Sequence, residues 1–106
     1  MICAIELMFS HEDVYDAVGT RATIPCHRSI LKPVMWHYRN FEEETVYEVF
    51  EGLYLVNGYV NKCIVDKSTY DLTILKVKVA DSGNYTCTED EGFGDSHITK
   101  LFVTGM

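Results

Sequence analysis

The stretch Asp81-Ser82-Gly83-Asn84-Tyr85-Thr86-Cys87 decides how this chain reads. Three turn formers, Asp81, Ser82 and Gly83, stand directly before an alternating run that ends in a cysteine. Alternate residues of a strand share a face, so Tyr85 and Cys87 lie on one side and Asn84 and Thr86 on the other. Upstream, Ile24 and Cys26 share a face in "TRATIPC", as do Val34 and Trp36 in the next run. The inner faces of two stacked sheets stand about 10 Å apart. Two inward cysteines on opposed strands can bridge that space, and a large aromatic beside the sulfurs fills what they leave. Cys26, Trp36 and Cys87 meet this requirement if all three point inward. A bridge closing a loop of about 60 residues stabilises the fold by roughly 4 kcal/mol through the unfolded state.

The rest of the chain has the same texture. Short alternating runs, broken by turn chemistry, predict about nine strands at 5–9 continuing after a break at 14–18, 21–26, 34–39, 45–50, 53–56, 60–66, 70–77, 84–89 and 98–103. Helical periodicity is missing over any useful length. Asn57-Gly58 reads as a tight turn, and Glu42-Glu43-Glu44 as a solvated acidic loop. The pattern is that of an all-β sandwich or barrel in a single domain spanning 1–106.

Composition removes several classes of function. The chain has 106 residues and a formal charge of −7. Such a balance argues against nucleic acid, whose binding requires basic patches, and against docking on an anionic membrane surface. Four cysteines in so short a chain point to an oxidising compartment. No pair is spaced C-x-x-C and the four histidines (His11, His27, His37, His97) are scattered, so no metal or other cofactor is expected. No apolar run reaches the length of a membrane span. The apolar start "MICAIELMF" lacks a basic leader and contains Glu6, so it does not read as a signal peptide; a signal or anchor, if there is one, lies outside this sequence. No nucleophile elbow, phosphate loop or H-E-x-x-H motif is present, and the chain is not expected to be an enzyme.

Cys26, Trp36 and "LTILKVKVADSGNYTC" together resemble an immunoglobulin-superfamily domain, over about residues 18–103. "VGTRATIPC" is similar to a second strand of the variable type, and the additional strands between Trp36 and Leu72 favour that set. "TKLFV" (99–103) is similar to the T-x-L-x-V ending of a joining segment, as in antigen-receptor variable domains and invertebrate chordate relatives. Phe93-Gly94 resembles that segment's leading Phe-Gly, although Phe93 sits two residues too far upstream and Ser96 replaces a second glycine. The resemblance implies a two-sheet antiparallel sandwich with Greek-key connections. Its core centres on the Cys26–Cys87 disulfide with Trp36, Tyr85, Leu72 and Ile74. It also implies a corner in which the Tyr85 hydroxyl bonds back to the chain. Asp81 is then partly buried and needs a cation, with Lys62 the first choice and Arg21 the second.

Family topology puts the first strand and the strand of Cys63 at opposite edges of the back sheet, too far apart for a Cys3–Cys63 bridge. Cys63 then reads as a small buried hydrophobe and Cys3 as a free or intermolecular thiol. The same topology turns Met35, His37, Arg39, Glu48, Phe50, Thr88, Lys100 and Phe102 outward on the front sheet. That face is unusually apolar, as protein interfaces often are. The end loops 27–33, 52–58 and 88–96 form a second candidate surface, with Glu89, Asp90, Glu91, Phe93 and Asp95 suited to a basic ligand. Asn84-Tyr85-Thr86 is an N-glycosylation sequon expected to point outward.

Three functions follow from the resemblance. One is an extracellular or cell-surface recognition module of an immune-type or adhesion receptor, binding protein, including a second copy of itself as a homodimer, through the front sheet. Another is a soluble domain binding a microbial or carbohydrate ligand through its end loops. The last is a structural spacer in an adhesion chain. The scaffold alone does not choose among them.

Overall fold

Alternation along the chain resolves into eight strands in a computed structural model that describes residues 9–27, 33–89 and 94–105. They are β1 (Phe9–Ala17), β2 (Ala22–Ile24), β3 (Met35–Arg39), β4 (Tyr47–Glu51), β5 (Cys63–Val65), β6 (Leu72–Ile74), β7 (Gly83–Thr88) and β8 (Ser96–Thr104). A short 3₁₀ turn, Val79–Asp81, joins β6 to β7. The strands form a front sheet ordered β1-β8-β7-β3-β4 and a back sheet ordered β2-β6-β5.

Inward residues of both sheets meet in one core. Ile24, Cys26, Trp36, Leu72, Ile74, Cys87 and Leu101 are all fully enclosed there. Cys26 and Cys87 are bonded, with Cα atoms 5.5 Å apart. Trp36 fills the space beside them, and its indole N–H donates to the Tyr70 carbonyl at 2.8 Å. The Cys26 N–H, two residues past β2, donates to Asp71 Oδ1 at 2.9 Å. The polar edges of this hydrophobic plug are thus satisfied, as burial demands.

At the lower corner, the Tyr85 hydroxyl donates to the Asp81 carbonyl at 2.5 Å. Burial of the ring raises the tyrosine's pKa, so the hydroxyl stays a donor. Asp81 Oδ1 lies 2.5 Å from Lys62 Nζ, and its Oδ2 accepts the Lys78 N–H at 2.8 Å. Arg21 is exposed.

Several expectations need correction. The described part of the first strand, β1, is in the front sheet rather than the back sheet, and residues 5–8 lie outside the described residues. β1 runs unbroken through Ser10–Asp13 and pairs in parallel with β8, from Phe9↔Ser96 to Ala17↔Thr104, so the front sheet is antiparallel except at this edge. An edge strand leaves half of its backbone groups and most of its side chains to water, which is why the charged run His11-Glu12-Asp13 does not interrupt it. The chain changes sheets at Val18–Arg21, pinned by Gly19 N–H to Val77 O (2.8 Å) and Val77 N–H to Thr20 O (2.9 Å).

Cys3 lies outside the described residues, and Cys63 is a buried free thiol. Residues 53–56 are not a strand. They fold back on β4 through Glu51 N–H to Tyr54 O (3.1 Å) and Val56 N–H to Val49 O (2.8 Å), and only Phe50 and Leu55 form a bridge.

Phe50 is the third correction. Between β3 and β4 the register slips, with Trp36 opposite Phe50 but His37 opposite Glu48. The extra residue, Val49, makes a bulge. Strict alternation fails there and both Val49 and Phe50 turn inward. Phe50, expected on the front face, instead packs toward the Tyr70 ring at 6.0 Å.

Candidate functional site

Outward residues of the front sheet fall into rows set by the strand register. One row runs Glu48, His37, Thr86, Ile98, His11 across β4, β3, β7, β8 and β1. The next runs Arg39, Asn84, Lys100, Asp13. Met35, Thr88 and Ser96 make a third row toward the end loops, where Thr88 Oγ1 and Ser96 Oγ are 3.2 Å apart. Each row is continuous because residues paired across a ladder project to the same side.

Between the first two rows lies an open hollow of about 440 Å³, floored by Asn84, Thr86 and Ile98 and walled by Tyr38, Val46, Arg39, Lys100 and the two histidines His11 and His37. Phe102, next along β8 on the same face, is stacked between Tyr15 (centroids 4.9 Å apart) and Phe41 (5.1 Å). Tyr15 remains 65% exposed, so this aromatic ledge is largely open to a partner. Among the described residues, the side chains of His37, Thr86 and Lys100 have no hydrogen-bond or ion-pair partner. Asn84 Oδ1 is buried and also unpartnered. Polar groups left unspent on a structured face are what an interface consumes.

Met35, His37, Arg39, Glu48, Thr88, Lys100 and Phe102 thus lie on one surface, with Phe50 removed to the core. Sequence reasoning does not bring in Tyr15, Phe41, His11, Val46 or Ile98. Tyr15 and His11 join the face through the parallel pairing of β1, which local pattern does not encode. Ile98 has a signal, since it shares parity with Lys100 and Phe102. Asn84 is the second residue of β7, the central strand, just past the corner turn and on the outward face.

The end-loop candidates are less coherent. Asp90, Glu91 and Phe93 lie outside the described residues. Glu89, expected to be a solvated ligand group, is buried with its Oε2 2.6 Å from His97 Nε2. It shares the inward parity of Tyr85 and Cys87, and alternation overrides the acidic character of its neighbourhood. Its backbone closes the hairpin through Glu89 N–H to Asp95 O (2.9 Å) and Gly94 N–H to Glu89 O (2.8 Å). Among the described residues, no three His, Cys, Asp or Glu side chains converge as a metal-ligand set.

No protein-family model matches the chain, and no curated protein sequence matches it. Its fold, however, is widely shared, matching 1637 chains of solved structures, which is too many for the fold to single out a function. One of them is the CD2-binding domain of CD58, lymphocyte function-associated antigen 3, at a TM-score of 0.64 and 19% sequence identity. The alignment covers 88% of this chain and 53% of that one, so this chain spans about half the length of the solved structure. At that identity the likeness concerns architecture, and the architecture is an immunoglobulin-like sandwich.

Proposed function

We propose that this chain is a non-catalytic extracellular recognition module that binds another protein through the outer face of its front sheet. The observation that carries the reading is the continuous face of β1, β8, β7, β3 and β4, where unspent polar groups surround a hollow beside an exposed aromatic ledge. The buried disulfide fits an oxidising, secretory compartment. CD58, whose solved domain is described as CD2-binding, supports the idea that a sandwich of this kind can serve recognition between proteins. The variable-type assignment belongs to the same reading and rests on the strands between Trp36 and Leu72 and on the ending of β8.

The test uses fluorescent tetramers of the domain on a panel of cells. Staining is expected to fall at least about tenfold with His37→Asp or Phe102→Asp, each of which puts a desolvated charge into the face. It is expected to survive Ile64→Asp on the exposed side of the back sheet. Loss with Ile64→Asp and retention with the front-sheet variants would move the recognition surface elsewhere.

A further inference from the structure

We propose that the front-sheet hollow receives a carboxylate side chain from an acidic partner protein, an inference that rests on the front sheet being the docking face. The chain as a whole carries −7, yet among the described residues the hollow is lined by the cations Arg39 and Lys100, with His11 and His37 beside them, and by no Asp or Glu. Charge of this sign, concentrated in a concavity of an otherwise acidic molecule, is a local feature with a local use.

The register explains how the charge is aimed. Arg39 and Lys100 flank Asn84 in a single row, about 10 Å apart at the backbone because strands are spaced by about 4.8 Å. Both side chains are long enough to converge on one carboxylate between them. The nearest native carboxylate in the row is Asp13, which is turned to His11 Nε2 at 3.2 Å. Arg39 Nη1 donates to the Glu43 carbonyl at 3.0 Å, which steadies the guanidinium and leaves its other N–H groups to give. Val46 on the wall and Ile98 on the floor are apolar, and beside them a charge-assisted bond is worth more than in open water. The Tyr15–Phe102–Phe41 ledge takes an apolar neighbour of the incoming acidic residue.

A second copy of this chain fits the hollow poorly. Sheet-to-sheet pairing about a two-fold axis through the hollow sets Arg39 and Lys100 of one copy against those of the other, and like charges across an interface oppose association. A partner with an acidic centre has the complementary pattern.

The experiment is a backbone-amide NMR titration of the isotopically labelled domain with the acidic peptide acetyl-Gly-Glu-Phe-Glu-Gly-amide and with its glutamine counterpart. The acidic peptide is expected to move amides around His37, Asn84 and Lys100. Binding is expected to weaken at least about fivefold with the glutamine peptide and with Lys100→Met or Arg39→Met, while back-sheet amides report an intact fold. Equal binding of both peptides at the same amides overturns carboxylate recognition but leaves the docking face standing. Movement of those amides on dilution without peptide makes a second copy the occupant and overturns the inference in the same limited way. Shifts confined to the back sheet, or none at about 5 mM peptide, overturn the inference outright; the staining experiment then judges the docking face independently.

Discussion

Lys62 Nζ lies 2.5 Å from Asp81 Oδ1, tying the approach to β5 to the turn that launches β7. Asp81 is buried and Lys62 is 39% exposed, so the lysine keeps part of its hydration while the carboxylate depends on its partners. Lys62→Met is expected to cost about 1–3 kcal/mol, because it leaves a buried carboxylate with one backbone donor. Asp81→Ala is expected to cost more, since the Lys78 N–H loses its acceptor as well. Urea unfolding of both variants checks this, and an unchanged midpoint for Lys62→Met contradicts it.

Gly83 is where β7 runs against the end of β3. A Cβ there would stand 2.5 Å from the Arg39 carbonyl oxygen and 2.7 Å from Tyr38 Cε1. The oxygen is backbone and cannot step aside, so Gly83→Ala must push two paired strands apart. We expect a loss of about 2–3 kcal/mol, read by thermal unfolding. Gly58→Ala has no such neighbour and serves as a control confined to backbone conformation.

The Cys63 thiol is raised from 9.0 to about 11, chiefly by burial. A group whose pKa is higher in the folded state contributes stability that is complete below its unfolded value and lost as the pH passes its folded one. Unfolding free energy should therefore decline between about pH 9 and pH 11, and Cys63→Ala should flatten that decline. At pH 8 the native thiol should resist iodoacetamide and react only on unfolding; rapid native alkylation would contradict its burial.

These particulars show which parts of the molecule local pattern can reach. Trp36 and Cys87 are legible because strand alternation has a period of two and each lies within an unbroken strand, and Cys26, two residues past β2, keeps the parity of Ala22 and Ile24. Glu89 obeys the same alternation, but the acid-rich loop after it suggests a solvated side chain. Phe50 cannot be read, because one bulged residue at Val49 reverses the parity of the positions beyond it and leaves no mark in composition. The place of β1 is equally hidden. Which sheet edge accepts a strand depends on β8, 87 residues further along at every pair (96 − 9 = 87), and only that pairing builds the Tyr15–Phe102 contact.

Asn84 carries the sequon of the central strand and borders the hollow. A glycan on its Nδ2 and a docked partner would claim the same space. In protein from a eukaryotic secretory host, separated by mass into molecules with and without a sugar at Asn84, only the unmodified fraction should bind the acidic peptide. Equal binding by both fractions would place the docked group elsewhere.

Which residues face outward on the front sheet is fixed by the clasp between the two sheets. Peptide mapping of the native, non-reduced chain tests that clasp most directly. Cys26 should be recovered linked to Cys87, and Cys63 as a thiol alkylated only after denaturation. Recovery of Cys26 bonded to Cys63, or to any cysteine other than Cys87, would contradict the sandwich and the recognition face built on it.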